Sequence, residues 1–330
     1  MNFQDLHHIE NSQFYLDLAL RKAEEKARLL RQSIKLKSVS RIIKSKRIEI
    51  EKLRVLREVL NEKLGDIHLK FPSIDNLPEF YNQLIKINLD VDMLRKSLGS
   101  VAWARTNITK FSKMYTIKIK GSNDQGEVSK LGSAALGRIS SIMRQIDKFL
   151  TIIEAARKKM RNFPAVKTSL FTISIAGFPN VGKSTLLKKI TSSDPEIASY
   201  AFTTKQLNTG YSLQNNVKLQ FIDTPGTLAR FEKMNPIERQ AILAMKYASE
   251  MIIYIYDLSE TYSMADQDRL LELIEDIDKP IIIYLSKIDI VDKSRVDEFI
   301  KNFPKEHKVC LTDKELFDEI LKVEKNVYEE

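Results

Sequence analysis

Gly177, Gly182, Lys183 and Ser184 stand in the spacing G-x-x-x-x-G-K-S, within 177-GFPNVGKSTLL-187. No other feature limits the fold of this chain so tightly. The spacing is that of a loop that cradles phosphate, and such a loop works only between a strand and a helix. Both flanks are present. Residues 170-LFTISIA-176 are an apolar, β-branched run of strand length, and 184-STLLKKIT-191 puts Leu186, Leu187 and Ile190 on one helical face. Loop N–H groups and the helix dipole then draw an anion. The expected cradle is Phe178, Pro179, Asn180, Val181, Gly182, Lys183, Ser184 and Thr185. Lys183 reaches the β- and γ-phosphates, and the Ser184 hydroxyl binds Mg²⁺.

Further short apolar runs follow, 217-VKLQFID-223, 251-MIIYIYD-257 and 280-PIIIYLS-286, with a weaker one at 307-HKVCL-311. Helical patterns separate most of them. Near-continuous β-branched runs alternating with helices predict a mostly parallel sheet with helices on both faces. Ligands of such sheets sit at the carboxyl ends of the strands. There the second run ends in Asp223-Thr224-Pro225-Gly226. Asp223 is a candidate Mg²⁺ residue and the Gly226 N–H a candidate γ-phosphate contact. In the intervening 199-SYAFTTKQLNTGYS-212, Thr204 is the candidate to complete the Mg²⁺ shell, with Thr203 the alternate. Gly210 is expected to allow a turn or the start of a strand.

Ser286-Lys287-Ile288-Asp289 follows the fourth run. The Asp289 carboxylate can accept hydrogen bonds from N1 and N2 of guanine, donors that adenine lacks. The Lys287 stem would lie along the base. Cys310 ends the last run; it can present its backbone N–H to guanine O6, or be a plain buried small residue, or both. The expected ligands are therefore GTP and GDP with Mg²⁺. A nucleotide kinase or ATPase would not pair D-T-P-G with S-K-x-D.

The first half has another character. No proline falls between Met1 and Phe71, nor between Glu79 and Phe163. Apolar spacings of three and four there predict long helices: one or two over 13–64, more from about Glu79 and from Val101 to Lys120, and a last one over about Ser133–Arg161. Residues 121–132 read as a loop. Together these predict an antiparallel helical bundle. The net charge of +9 is unevenly spread, about +15 over residues 1–170 and about −6 beyond. Charge is densest in 36-LKSVSRIIKSKR-47 and 156-ARKKMR-161. The basic total, more than either run, suggests a polyanionic partner such as RNA. Trp103, Phe111 and Tyr115 share helical spacing in a basic segment and are expected in the core rather than as stacking platforms.

The lone cysteine, Cys310, excludes an intrachain disulfide framework and suggests an intracellular setting. No run is apolar enough to span a bilayer, no secretory signal opens the chain, and no membrane partner is expected. The expected domains are a basic helical bundle over 1–162, a linker over 163–168 and a nucleotide domain over 169–330.

Taken together, these motifs resemble translation-factor-class small GTPases of the Obg-related branch, whose switch segment 200-YAFTTK-205 followed by Gly210 is similar. Within that branch the nucleolar GTP-binding protein 1 family, in its short archaeal-type form, is the best match. The stretches 72-PSIDNLPEFYNQLI-85, 131-LGSAALGRISSIMRQ-145 and 161-RNFPAVKTSLFTISIAGFPNVGKST-185 carry that resemblance through the helical half. It implies GTP hydrolysis, with Lys183, Thr204 and Gly226 as the catalytic set. It also implies a switch role in assembling the large ribosomal subunit or its precursor, with rRNA held by the helical domain. The long C-terminal extension of eukaryotic members is absent, which argues against nucleolar targeting, and a cytoplasmic location is expected; so is a monomer.

Three departures stand out. Ser286 replaces the usual asparagine, and 309-VCLTD-313 replaces a Ser-Ala-x-Thr-Gly motif. Thr227 stands where Ras-like enzymes place a water-orienting glutamine. Slow intrinsic hydrolysis is therefore expected, activated by the ribosomal particle or by K⁺, for which Asn180 resembles the ligand of potassium-activated relatives. The alternative is a very slow or non-hydrolysing GTP-binding scaffold.

Overall fold

The computed structural model describes residues 3–33, 40–191, 196–197, 208–225, 236–259 and 262–329. They divide into two compact units. One is built from Gln4–Asn76 and Asn88–Arg161, the other from Met1–Phe3, Leu77–Ile87 and Asn162–Glu330.

The first unit is all-helical. Its helices are α1 (Ser12–Ser33) and α2 (Arg41–Lys70), then, beyond a short helix α3 (Glu79–Asn88), α4 (Val91–Gly121) and α5 (Gln125–Met160). The core joins Leu56, Leu60 and Leu64 of α2 to Val101, Ala104 and Ile108 of α4 and Ile139, Met143 and Ile146 of α5. Two helices begin earlier than their apolar spacing predicts, because aspartates cap them. Asp90 accepts a hydrogen bond from Met93 N at 2.9 Å, and Asp124 accepts one from Glu127 N at 2.6 Å. Such caps are worth about 1 kcal/mol each. Residues 125–132, expected as a loop, are thus the first two turns of α5.

The basic run at 156–161 is less free than its composition implies. Arg157 is buried, paired with Glu154 at 2.7 Å, and donates to Leu6 O at 3.0 Å. Burial pushes the Glu154 carboxyl up, but the Arg157 guanidinium and the Ile9 N–H outweigh it and hold the group at about 2. Trp103 is not core: it is 45% exposed, whereas Tyr115 is buried and Phe111 half-buried.

The second unit is a seven-stranded sheet with flanking helices. In chain order it comprises β1 (Phe171–Ala176), α6 (Lys183–Ile190), β2 (Glu196–Ile197), β3 (Asn208–Gln214), β4 (Val217–Asp223) and α7 (Pro236–Tyr247). It continues with β5 (Met251–Asp257), α8 (Met264–Glu275), β6 (Ile281–Ser286), α9 (Lys293–Asn302), β7 (Lys308–Cys310) and α10 (Asp313–Glu329). The strand order is β2-β3-β4-β1-β5-β6-β7. From β4 to β7 all neighbours are parallel, while β2 and β3 add an antiparallel edge. β1 and β5 lie at the centre and are buried at every position, which explains their unbroken apolar runs.

Gly210 makes neither a turn nor a strand start. It lies within β3, where a Cβ would collide with Thr191 Cγ2 and Leu187 Cδ1 of the packed α6 end. The glycine therefore permits close helix–sheet packing.

The sequence reading ends the helical domain at 162 and places a linker over 163–168, whereas packing assigns Leu77–Ile87 to the second unit. That stretch holds α3, whose Tyr81 ties it to the residues that follow 162 and to the ring of Phe3. The Tyr81 hydroxyl lies 2.9 Å from Pro164 O and accepts a hydrogen bond from Val166 N at 2.8 Å. Lys167 N then donates to Gln220 Oε1 at 3.0 Å, so residues 164–167 are fastened along both sides.

Candidate nucleotide-binding site

The loop between β1 and α6 keeps its shape by three left-handed residues: Gly177 at φ 143°, Asn180 at 61° and Gly182 at 104°. At Gly177 the restriction is double, since a Cβ would also stand 2.8 Å from Ile255 O on β5. Two apolar anchors hold the loop to the body. Val181 is fully buried, and the Phe178 ring packs on Tyr262 with centroids 4.7 Å apart. The polar side faces out, with Asn180, Ser184 and Thr185 exposed.

Lys183 is buried and curls back over the loop, its Nζ 2.6 Å from Phe178 O. The ammonium thus sits over the cradle with a neutral carbonyl as a partner. A phosphate oxygen is a better one, since an ion-assisted bond is about twice as strong.

Asp223 closes this end. It is 5% exposed, and its Oδ2 accepts from Ser184 Oγ at 2.6 Å and from Asn208 Nδ2 at 3.4 Å. Its other oxygen, Oδ1, is buried with no hydrogen-bond partner among the described residues. Burial raises the carboxyl above its ordinary range, and the Ser184 bond, the Lys183 charge and Asn208 only partly offset this. An orphaned carboxylate oxygen beside a serine hydroxyl is a hard-oxygen donor set of the kind Mg²⁺ prefers. The residues present therefore fit that ion. Thr203, Thr204 and Gly226, the other residues expected at this end, lie outside the described residues.

The base-recognition end comes from β5, β6 and β7. Ser286 ends β6 directly beside the loop: a Cβ on Gly182 would lie 3.6 Å from Ser286 Cβ. Its hydroxyl donates to Tyr256 O at 3.1 Å, not to the loop. Lys287 turns the chain at φ 54°, and Asp289 stands exposed on the 3-10 turn that follows. Cys310 ends β7 opposite Tyr284 and is fully buried, which pushes its thiol up to about 11. The side chain is buried packing.

Two participants escape sequence reasoning. Asn208 lies on β3 in register with Asp223, in a segment with no strand signal of its own. Asp257, the last residue of β5, holds Lys287 Nζ at 2.6 Å and accepts from Ser259 N at 2.9 Å. Burial opposes its ionisation, but the Lys287 and Ser259 bonds outweigh that and lower the carboxyl below its ordinary range. A charged residue closing an otherwise apolar strand, as Asp223 closes β4, was the available signal. A separate cavity of about 670 Å³ lies between α8 and α9, bordered by Tyr256, Phe299 and Phe303. None of the phosphate or guanine motifs lines it, so it is distinct from this site.

Residues 3–167 match the NOG1 N-terminal helical domain and residues 172–287 match the 50S ribosome-binding GTPase family. An uncharacterized protein of Methanocaldococcus jannaschii is 39% identical over 282 residues, covering 84% of this chain and 78% of that protein. Nucleolar GTP-binding protein 1 of Drosophila melanogaster is 31% identical over 317 residues, covering 94% of this chain and 47% of that protein. The chain thus spans about half the length of its eukaryotic relatives. Among solved structures, an Era variant of Aquifex aeolicus bound to GDP and AlF4⁻ is 25% identical, with a TM-score of 0.38 over 47% of this chain and 56% of that one. With both parts matched in one order along one chain, the protein belongs to the NOG1 family, and its second unit is a GTP-binding GTPase domain.

Proposed function

We propose that this chain hydrolyses GTP and uses the cycle to time its attachment to the large ribosomal subunit or its precursor. The observation that carries the nucleotide part is the pairing of two ends in one site. At one end Asp223 Oδ1 has no partner among the described residues beside Ser184; at the other, Ser286 abuts Gly182, three residues before Asp289. The ribosomal part rests on the names of the relatives and on the basic helical half.

In this reading Lys183 exchanges Phe178 O for the β- and γ-phosphates. The loop N–H groups hold the phosphate oxygens, and Ser184 and Asp223 hold the metal. Bound Mg²⁺ supplies positive charge to the β- and γ-oxygens. Thr204 and Gly226 sense the γ-phosphate, so its loss releases both switch segments. Asp289 reads N1 and N2 of guanine, the Lys287 stem flanks the base, and the Cys310 N–H meets O6. With Thr227 in the water-orienting position, hydrolysis is slow until the ribosomal particle, or K⁺ at Asn180, adds positive charge. The protein would work as a cytoplasmic monomer; among the described residues no helix is long and apolar enough to cross a membrane.

The test is co-sedimentation with purified large subunits at several salt concentrations, with a non-hydrolysable GTP analogue, GDP or an ATP analogue. Pelleting favoured by the GTP analogue alone and weakened by Lys183→Ala supports the switch. Pelleting indifferent to nucleotide would favour a scaffold instead. Single-turnover hydrolysis in K⁺ and in Na⁺ tests the cation; equal rates, with and without subunits, would remove Asn180 from the mechanism.

A further inference from the structure

From Met93 to Asn123 the chain carries no aspartate or glutamate, yet it holds Arg95, Lys96, Arg105, Lys110, Lys113, Lys118 and Lys120. Helix α4 turns part of this stretch into an outward face, while Arg95 pairs with Asp75 and Arg105 lies against Gly65. Lys96, Trp103, Lys110 and Ile117 recur every two turns and are all exposed, roughly 10 Å apart along the axis. The intervening turns of that face carry Gly99, Ser100, Thr106 and Asn107. Trp103, at 45% exposure, has no ring partner or cation over its face among the described residues. Lys96, Lys110 and Lys113 are in no salt bridge among the described residues.

Gly99 lies one turn before Trp103 on this face. Glycine within a helix is destabilising relative to alanine. Nothing inside the protein calls for it here, since a Cβ at Gly99 meets nothing within 4 Å. The space it leaves is open to a group from outside.

We infer that this α4 face is the RNA-contacting surface of the chain, and that it takes unpaired RNA, with a base stacked on Trp103 and the flanking phosphates on Lys96 and Lys110. The inference rests on the ribosome reading above and deepens it. Aromatic stacking accepts any base, and the lysines on either side supply the sequence-independent attraction. Gly99 lets the sugar-phosphate backbone approach the helix. A membrane fits less well, because Met93, Trp103 and Ile117 are separated by polar and small residues rather than joined in one apolar stripe.

Trp103 is the only tryptophan of the chain, so emission excited beyond the tyrosine absorption band reports this face alone. The full chain is titrated with a 12-nucleotide single-stranded RNA and with a duplex of the same length. Single-stranded RNA is expected to quench the emission, the duplex much less. In parallel, anisotropy of the labelled RNA gives affinities. Trp103→Ala is expected to weaken binding about tenfold and Trp103→Phe far less. Lys96→Gln with Lys110→Gln lowers the salt slope by about 1.4. Gly99→Ala raises the melting temperature while weakening RNA binding, an opposition that a purely structural glycine would not show.

Binding of the RNA without quenching, or unchanged affinity in Trp103→Ala, overturns the inference. So does a blue shift with phosphatidylserine vesicles and none of these effects with RNA. The two readings fail separately. If parent and Trp103→Ala pellet equally with large subunits, the surface is wrong and the ribosomal role stands. If the parent never pellets but the oligonucleotide quenches Trp103, the surface stands and the ribosomal role falls.

Discussion

Asp223 and Asp257 invite comparison. Each ends a parallel strand at the same edge of the sheet, and each is nearly inaccessible to water. Their circumstances are opposite. Asp257 has an internal cation, Lys287, and additional bonds from Ser259; its carboxyl is lowered. Asp223 has a serine, a more distant asparagine amide, the charge of Lys183 and one oxygen with no partner among the described residues; burial outweighs these and its carboxyl is raised. The base end of the site is thus electrostatically complete within the chain, and the phosphate end is not. The charge that Lys183 leaves unbalanced at Asp223 can be met by a bound cation, so Mg²⁺ with nucleotide is expected to stabilise that end.

The most severe way to break the contrast is to make Asp257 resemble Asp223. Lys287→Met leaves a buried carboxylate without its cation and is expected to cost about 2 kcal/mol, below the range for fully buried pairs because the lysine is partly exposed. Urea unfolding of the nucleotide-free protein measures this, and adding Asp257→Asn should restore part of the loss. No change in midpoint would show that the pair contributes nothing.

The converse change sharpens the comparison. Asp223→Asn removes the charge but keeps the shape, and is expected to stabilise the nucleotide-free protein by about 1 kcal/mol while abolishing stabilisation by Mg²⁺–GTP. Acid separates the two aspartates further. A raised carboxyl costs stability only once it ionises, so the benefit of Asp223→Asn is absent below the ordinary value of 3.8 and grows as pH rises through the higher folded value. A lowered carboxyl contributes stability above 3.8 that is lost as pH falls through its folded value, so Asp257→Asn destabilises at neutral pH and becomes harmless in acid. Thermal melts of both variants from pH 3 to pH 7 should therefore diverge in opposite directions; parallel curves would contradict the assignment.

The smallest expected effect lies where the two ends meet. Ser286 stands beside Gly182 but bonds to its own side of the sheet. Ser286→Asn provides a longer arm towards the loop, and one added hydrogen bond predicts a gain in GDP affinity of about three- to tenfold, measured with a fluorescent nucleotide. An unchanged affinity would mean that the loop needs no such bridge.

What could be read in advance follows the range of the interactions. The phosphate loop, the parallel strands and the Ser286–Asp289 turn are contiguous in sequence, and their chemistry is local. The start of α5 was equally local: Asp124 and Glu127 stand in capping spacing, overlooked beside the glycines at 121 and 126. β3 was not legible, because Asn208–Gln214 is polar and becomes a strand by pairing with β4. Trp103 misled for a different reason. The buried stripe of α4 runs through Leu94, Ser97, Val101, Ala104, Ile108, Ser112, Tyr115 and Ile119, and Trp103 falls on the opposite side of the helix from it. Neither the Asp257–Lys287 pair nor the docking of α3 is expressed in any local pattern.

That docking limits how such a protein can be taken apart. The main chain passes from one unit to the other between residues 3 and 4, 76 and 77, 87 and 88, and 161 and 162. A nick in the 163–168 segment would leave Tyr81 still gripping it, and a fragment starting at 163 would lack the hydroxyl that holds Pro164 and Val166. The same holds on the timescale of genes: a GTPase domain cut out at 163 would leave that clasp behind.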